Sequence, residues 1–295
     1  MRVTDNYRTQ LATWALTRTS RRLNSATTAT ALGQRITAPS DDPSAYSVAM
    51  RQTDQSASIQ AGARAARLSA DGLSQADNAL DAVGELLTQA KELAVRAGND
   101  TLSPQDRKAI GEQVSSIREQ VIALANTRGT QGYLFGGTRT DQPPVTAAGV
   151  FTGNDNAMTA PLGAAGPTIR ANASGVYAFT TTGGRDVFGE LQTLATALQT
   201  NDAVAIRAST GPIEETITQV TQEQQRVGLA VDRLRSFAEL SDAAAVGIEG
   251  SRARELGADD LPRLITELSA AQNAYQRSLE STRKLLAISS IADGG

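Results

Sequence analysis

One long stripe of small and apolar residues constrains the fold of this chain more than any other feature. From Pro43 to Ala97 such residues recur at alternating steps of four and three, with one short step between Leu73 and Ala76. A spacing that averages near 3.5 residues over so many turns is typical of coiled-coil-like packing. At about 1.5 Å per residue the helix would be about 80 Å long. The sequence therefore predicts a mainly α fold, an elongated bundle of long coiled-coil-like helices.

A proline-rich segment directly precedes this stripe and separates it from a shorter N-terminal helix. Pro39 disfavours the α conformation of the residue before it, so a helix that runs up from the N-terminus should stop there. Asp42, or Ser40 or Asp41 beside it, can cap the next helix, and Pro43 fits the first helical position. We interpret these residues as a hinge and helix cap. A catalytic or metal-binding role for the two aspartates is the less favoured alternative.

A region without helical spacing lies in the middle of the chain, after a second helix of the rod. Helical spacing continues after Ser103 and stops near Arg128, which predicts two antiparallel rod helices. The stretch from Gly129 to Gly184 then holds 11 of the 25 glycines and four of the nine prolines. Short aromatic and β-branched runs between these residues, most clearly Gly175 to Thr181, indicate strands and turns. The sequence thus predicts a small β-rich middle domain.

Helical spacing returns through Phe188 to Leu198, and a second long helix is expected after Gly211-Pro212. Both ends of the chain are amphipathic helices whose apolar stripes need a partner. We predict subunit-interface residues in two stripes: Val3, Tyr7, Leu11 and Trp14 in the N-terminal helix, and Leu261, Leu264, Leu268, Ala271, Tyr275, Leu279 and Leu286 in the C-terminal helix. Packing of these stripes within one chain is the alternative, and the aromatic-poor build favours subunit contact.

These patterns divide the chain into five segments. They are an N-terminal assembly helix and hinge (1–42), N-terminal rod helices (43–130), a β-rich middle domain (131–187), C-terminal rod helices (188–257) and a C-terminal assembly helix (258–295).

Composition excludes several classes of function. The formal net charge of −3 provides no basic field for nucleic acid. The chain has no histidine and no cysteine, which excludes zinc sites, cysteine nucleophiles, Ser-His-Asp triads and disulfides. The run GYLFGGT at Gly132 to Thr138 lacks the lysine and the spacing of a nucleotide loop. We therefore predict no catalytic site, no metal and no cofactor.

Signals for the membrane or for secretion are also missing from the sequence. No apolar run approaches the roughly 20 residues that a membrane helix needs. The N-terminal residues lack the apolar core and the cleavage site of a secretory signal. By these signals alone the protein is cytoplasmic, although they do not detect export by a signal that is not cleaved.

Several motifs of the chain are similar to those of a known family. The run GQRITAPSDDPSA, Gly33 to Ala45, is similar to a family segment in which Gly-Lys-Arg-Ile is followed by Pro-Ser-Asp-Asp-Pro. The stretch from Asp77 to Val114 is similar to shared rod helices, and ANTRGTQGYLFGGTRTDQPP, Ala125 to Pro144, is the most specific match. By these motifs the chain resembles the flagellin superfamily. Within it, the chain resembles the hook-filament junction proteins, also named third hook-associated proteins.

The resemblance implies an axial structural protein of the bacterial flagellum and not an enzyme. Such a protein is exported unfolded through the flagellar type III apparatus, without a cleaved signal peptide, and acts outside the cell. Its expected partners are copies of itself in a ring, the first hook-associated protein and flagellin, with an export chaperone as a further candidate. Neither nucleic acid binding nor membrane insertion is implied. The family's terminal helices are disordered in the monomer and order on assembly.

Three alternatives are weighed against this assignment. Filament flagellin is the nearest, but the Pro-Ser-Asp-Asp-Pro and YLFGGT motifs argue against it. A cytoplasmic helical signalling module would also be rich in alanine and heptads, yet such modules lack a β insert like the one predicted between Gly129 and Gly184. An enzyme is the least favoured, since no acid, base and nucleophile converge in the sequence.

Overall fold

The computed structural model describes residues 2–99, 101–161, 168–258 and 260–292, with the side chains of 2–6, 8 and 286–292 left out. The described part contains seven helices and four short strands. In chain order they are α1 (Arg2–Leu32), α2 (Pro43–Ala97), α3 (Pro104–Ala125), β1 (Arg128–Gly129), β2 (Gly132–Tyr133), β3 (Thr159–Pro161), β4 (Thr168–Arg170), α4 (Gly175–Phe179), α5 (Val187–Gln199), α6 (Ala203–Glu255) and α7 (Leu261–Ala292). The predicted mainly α fold is confirmed. None of the described helices is both long enough and apolar enough to span a membrane.

The chain forms two compact units. Unit 1 comprises Met1–Ser58 and Ala243–Gly295, and unit 2 comprises Ile59–Asp242. Helices α2 and α6 each contribute residues to both units. This grouping differs from the five predicted segments, because the two terminal segments share unit 1 and the predicted middle domain lies within unit 2.

The core of unit 2 is built on the predicted stripe of α2. The members of the stripe that are buried in unit 2 are Ala63, Ala66, Ala70, Leu73, Ala76, Leu80, Val83, Leu87, Ala90 and Ala94. They belong to one hydrophobic cluster with residues of α3, α5 and α6, among them Val114, Leu194 and Val220. A side-chain contact also joins two of these helices, since Gln224 of α6 donates to Asp81 of α2 over 3.4 Å. The stripe is therefore a packing seam, as its spacing predicts.

Aromatic residues attach the middle segment to this core. The ring of Phe179 lies 5.2 Å from that of Phe135 in an edge-on arrangement and 5.6 Å from that of Phe188. All three side chains are buried. Around them the chain forms two small antiparallel sheets, one in which Arg128 pairs with Tyr133 and one in which Ala160 pairs with Ile169. Strand structure is thus present among the described residues of the middle segment. The large aromatic side chains of the segment, however, pack into the core of unit 2.

The prediction of a strand in Gly175 to Thr181 is wrong, because Gly175–Phe179 form the helix α4. The hydroxyl oxygen of Ser174 accepts a hydrogen bond from the N–H of Tyr177 at 3.2 Å and caps the first turn. Val, Tyr and Phe give the stretch its β propensity, and burial of Ala178 and Phe179 overrides it.

The prediction that the second long helix begins after Gly211-Pro212 is also wrong, because α6 begins before these two residues. The side chain of Asp202 accepts the N–H groups of Val204 and Ala205, both at 3.0 Å, and caps the helix there. Pro212 lies inside α6, where it removes one helical hydrogen bond. Ile206 and Ile213 are fully buried on either side of it, so packing keeps the helix continuous.

Candidate functional site

The terminal helices α1 and α7 pack against each other within one chain. Thr30, near the end of α1, donates its hydroxyl to the carbonyl of Leu264, near the start of α7, over 3.4 Å. Six of the α1 residues that are shielded from solvent recur at steps of four and three: Ala12, Leu16, Thr19, Leu23, Ala26 and Thr30. Ser20 and Ala29 are also shielded. We refer to the six residues with this spacing as the inner stripe. It is the face of α1 that α7 covers.

The predicted N-terminal stripe lies on a different face of α1 and is open to solvent. Tyr7 is 63% exposed, Leu11 50% and Trp14 67%. The guanidinium of Arg18 lies 5.8 Å from the centre of the Trp14 ring. The side chain of Val3, the fourth predicted member, is outside the described residues. We refer to Tyr7, Leu11 and Trp14 as the outer stripe.

The predicted C-terminal stripe is divided by the structure. Leu264 and Ala271 are buried at 2% and 1% exposure, so within one chain they already have a partner in α1. Leu268, Tyr275 and Leu279 are half-buried. Leu261 is 48% exposed, and the side chain of Leu286 is outside the described residues. Of the described positions, therefore, Leu261 is the one that is open to a partner in the way the outer stripe is.

Sequence reasoning missed the inner stripe of α1. Its members include two alanines and two threonines, which give little apolar signal, whereas Tyr7, Leu11 and Trp14 dominate any count of large apolar residues. The signal that could have found it is the regular spacing of small residues, because a helix can pack closely on another helix through such positions.

The hinge residues act as hydrogen-bond acceptors of the backbone. Asp41 accepts the N–H groups of Thr37 and Ala38, both at 3.0 Å. The hydrogen bond from the Thr37 N–H, together with the one from Ala38, lowers the pKa of Asp41 below its ordinary value. Asp41 thus holds the turn that precedes α2. Pro39 and Ser40 are exposed at its tip.

The neighbouring carboxylate of Asp42 caps α2. Its Oδ1 accepts the N–H of Ser44 at 3.1 Å and the N–H of Ala45 at 3.0 Å. The bond from Ala45 is the main cause of a lowered pKa of Asp42. Pro43 is the first residue of α2, where its missing N–H leaves no bond unmade. Among the residues that the structure describes, no three acidic side chains come together in a way that could hold a metal ion.

Comparison with known proteins identifies the relatives of this chain. Residues 3–140 match the bacterial flagellin N-terminal helical region. Flagellar hook-associated protein 3 of Salmonella typhimurium (strain LT2) is 35% identical over 129 residues, which are 43% of this chain and 41% of that protein. The aligned region thus spans about two fifths of the length of this relative.

Two further matches extend over more of the chain. Flagellin of Listeria innocua serovar 6a is 25% identical over 207 residues, 69% of this chain and 68% of that protein. The structure of a candidate flagellar hook-associated protein from Vibrio parahaemolyticus superposes with a TM-score of 0.68 and 20% identity over 74% of this chain and 100% of that one. The structural likeness shows a shared fold. Residues 3–140 are thus similar to the N-terminal helical region of bacterial flagellin, and the relatives that match over part of the chain are flagellar proteins.

Proposed function

We propose that this chain is a structural subunit of the bacterial flagellum that forms the junction between the hook and the flagellin filament. The match to a hook-associated protein 3 and the hook-associated fold support this assignment. The chain is then not an enzyme and requires no cofactor. It acts outside the cell, to which the flagellar export apparatus carries it without a cleaved signal peptide.

The outer stripe is the observation that carries the proposal. Helix α1 already has a partner in α7, yet Tyr7, Leu11 and Trp14 remain exposed on another of its faces. Large aromatic side chains each bury about 150–250 Å² when they are covered. At roughly 25 cal/mol per Å², covering the exposed parts of Tyr7 and Trp14 contributes about 5–8 kcal/mol before the entropic cost of association. A neighbouring subunit in a ring supplies this cover.

The two stripes have different roles in this proposal. The outer stripe and Leu261 contact neighbouring subunits, whereas Leu264, Leu268, Ala271, Tyr275 and Leu279 hold α7 on α1 within each subunit. Val3 and Leu286 extend the subunit contacts at the two ends of the chain. The helix pair becomes permanently ordered only when neighbouring subunits cover it, because few of its side chains are fully buried in one chain.

The proposed position between the hook and the flagellin filament determines the partners of the chain. Copies of the chain form the ring, the first hook-associated protein precedes it, and flagellin follows it. An export chaperone is the partner inside the cell. Nucleic acid and membrane are not partners.

Filament flagellin is the second candidate, because the Listeria flagellin match covers 68% of that protein's length. The higher identity to a hook-associated protein 3, 35% against 25%, favours the junction.

A deletion strain distinguishes the two. It should keep its hooks, lose its filaments and release flagellin into the medium, and the wild-type gene should restore filaments. A deletion strain that still carries filaments, or purified chain that extends flagellin seeds into long homopolymers, contradicts the junction assignment.

A further inference from the structure

Two helices of unit 1 end in the same way. Gly33, after the last residue of α1, has φ +64°, and Gly257, two residues after the end of α6, has φ +72°. At each end two N–H groups bond back to carbonyls of the last turn. The bonds are Gly33 to Thr30 (3.2 Å), Gln34 to Ala29 (3.0 Å), Gly257 to Arg254 (2.9 Å) and Ala258 to Ala253 (2.9 Å). This is the Schellman arrangement, which a glycine in the left-handed region favours.

A backbone hydrogen bond ties the two helix ends together. The N–H of Ile36, three residues after Gly33, donates to the carbonyl of Leu256 over 3.0 Å. Carbonyls in the last turn of a helix lack a partner within the helix, so this bond satisfies one of them. Residues 220 positions apart in sequence are thereby joined.

A small hydrophobic cluster includes the same two residues, Ile36 and Leu256. The side chain of Ile36 is 1% exposed and packs with Leu256 and with Ala49 of α2, while Ala45 and Tyr46 lie against it. Burial of an aliphatic side chain of this size stabilises the contact well beyond one hydrogen bond. Ile36 is therefore the residue that fastens one linker to the other.

The two glycines differ in the space around them. A Cβ on Gly257 would come within 2.9 Å of the Cβ of Arg35, which belongs to the linker after α1. A Cβ on Gly33 would meet nothing within 4 Å. The linker after α6 thus fits against the linker after α1 without room for a side chain between them.

We propose that residues 33–36 and 256–258 form a single joint whose two linkers open and close together. The segments lead to α1 and α7, which also pack on each other. A joint that opens as one unit makes the pair of terminal helices change position together, because neither linker can be released alone. This property belongs to the single chain and does not rest on the proposed function.

Amide hydrogen exchange of the full-length monomer tests the joint. Two amides report on it, Gln34 on one linker and Ala258 on the other, since each bonds within its own helix end. Ile36→Ala removes the buried side chain and should raise exchange at both amides by the same factor, at least about tenfold. Gly257→Ala alters the opposite linker and should also raise exchange at Gln34. Ile36→Val keeps the fold if the alanine variant does not, and should raise both amides equally but less.

Asp42→Ala is the matched control, because it removes the cap of α2 beside the joint and leaves the hydrogen bond between Ile36 and Leu256 in place. It should raise exchange at Ser44 and Ala45 and leave Ala258 unchanged. Exchange that rises only on the mutated linker overturns the joint. So does a wild-type monomer in which Gln34 or Ala258 is unprotected, or a control variant that opens the distant linker equally.

Discussion

Arg107 donates a hydrogen bond from its guanidinium to the side-chain oxygen of Asn201 over 2.7 Å. Asn201 has φ 54°, an unusual conformation for a residue other than glycine, and it stands in the turn between α5 and α6. The same guanidinium donates to the carbonyls of Ala97 and Asn99 at 3.1 and 3.0 Å, where α2 ends. Arg107 is 6% exposed, so one buried cation holds the end of α2 and the α5–α6 turn. The partial negative charge of a helix C-terminus favours a cation at this place.

Loss of this guanidinium should destabilise unit 2. We expect Arg107→Met to lower the free energy of unfolding by about 2–4 kcal/mol, because the carbonyls of Ala97 and Asn99 and the side-chain oxygen of Asn201 lose their donor. Arg107→Lys should restore only part of it, since one ammonium cannot reach the same set of acceptors. Urea denaturation measures both. Arg64→Met, at an exposed position of α2, is the control and should change stability by less than about 0.5 kcal/mol. Equal effects at the two arginines would contradict the role of Arg107.

The outer stripe of α1 and the buried face of α7 that packs on α1 should respond differently to charge. Trp14→Asp should leave the melting temperature of the monomer unchanged and abolish filament formation, because the side chain is exposed until a neighbour covers it. Leu264→Asp should instead disturb the pairing of α1 with α7, since it places a charge at a position that is 2% exposed.

Complementation of a deletion strain, with filaments counted by electron microscopy, reads out both variants. Thr13→Asp adds the same charge one residue away on another exposed face of α1 and should preserve filaments. Each variant should still be secreted. Wild-type numbers of filaments with Trp14→Asp would exclude the outer stripe as a subunit interface.

Glu223 should make the stability of unit 2 depend on pH. Its side chain is buried in α6, its Oε1 accepts the N–H of Ser174 at 2.7 Å, and Arg226 Nη2 lies 2.9 Å from its Oε2. Burial raises the pKa of Glu223 above its ordinary value of 4.5, against the opposing effects of these neighbours. The folded chain therefore binds this proton more tightly than the unfolded chain does. The contribution of Glu223 to stability is full below pH 4.5 and is lost as the pH rises through the folded pKa.

Glu223→Gln keeps an oxygen acceptor for Ser174 and removes the titration. The melting temperature of the wild type should fall relative to this variant as the pH rises from about 4 to about 8. The pKa of Asp155 nearby is shifted in the opposite direction. Burial disfavours the charge of Asp155, but hydrogen bonds from Ser174 and Arg170 prevail and lower its pKa. Its contribution is present at neutral pH and lost in acid. A difference between wild type and Glu223→Gln that does not change with pH would refute the prediction.

Two helical glycines should give opposite results when changed to alanine. A Cβ on Gly84 of α2 would meet nothing within 4 Å, so Gly84→Ala should stabilise the chain by about 0.5–1 kcal/mol through helix propensity. A Cβ on Gly111 of α3 would lie 3.1 Å from the Cβ of Leu198 and 3.4 Å from the carbonyl of Ala195 in α5. Gly111→Ala should destabilise by about 1–2 kcal/mol, because these atoms cannot move without separating the helices. Thermal unfolding compares the pair, and stabilisation at both positions would show that α3 and α5 are not packed this closely.

The sequence predicts those elements whose signals are local. The bounds of α2, Pro43 and Ala97, agree with its apolar spacing, and the carboxylate of Asp42 caps it from the adjacent position. A long, regular stripe of small and apolar residues and a proline at a first turn are local signals, so they can be recognised without the rest of the fold.

The elements that were missed depend on partners distant in sequence. Pro212 stays in a helix because buried neighbours hold it, and α4 forms because Ala178 and Phe179 are buried. The outer stripe of α1 was visible, but nothing local shows that α7 covers the inner stripe instead. The bond between Ile36 and Leu256 joins residues too far apart for spacing to predict.

The pairing of α1 with α7 also sets the order in which the chain can fold. The contact between Thr30 and Leu264 spans 234 positions, and unit 1 is made of both ends of the chain, whereas unit 2 is one continuous stretch. During synthesis unit 2 is therefore available before unit 1 can close. Closing so long a loop adds little to the equilibrium cost but delays the encounter. Until α7 has been made, the inner stripe of α1 lies uncovered, and α1 is the element most exposed to premature association with other chains.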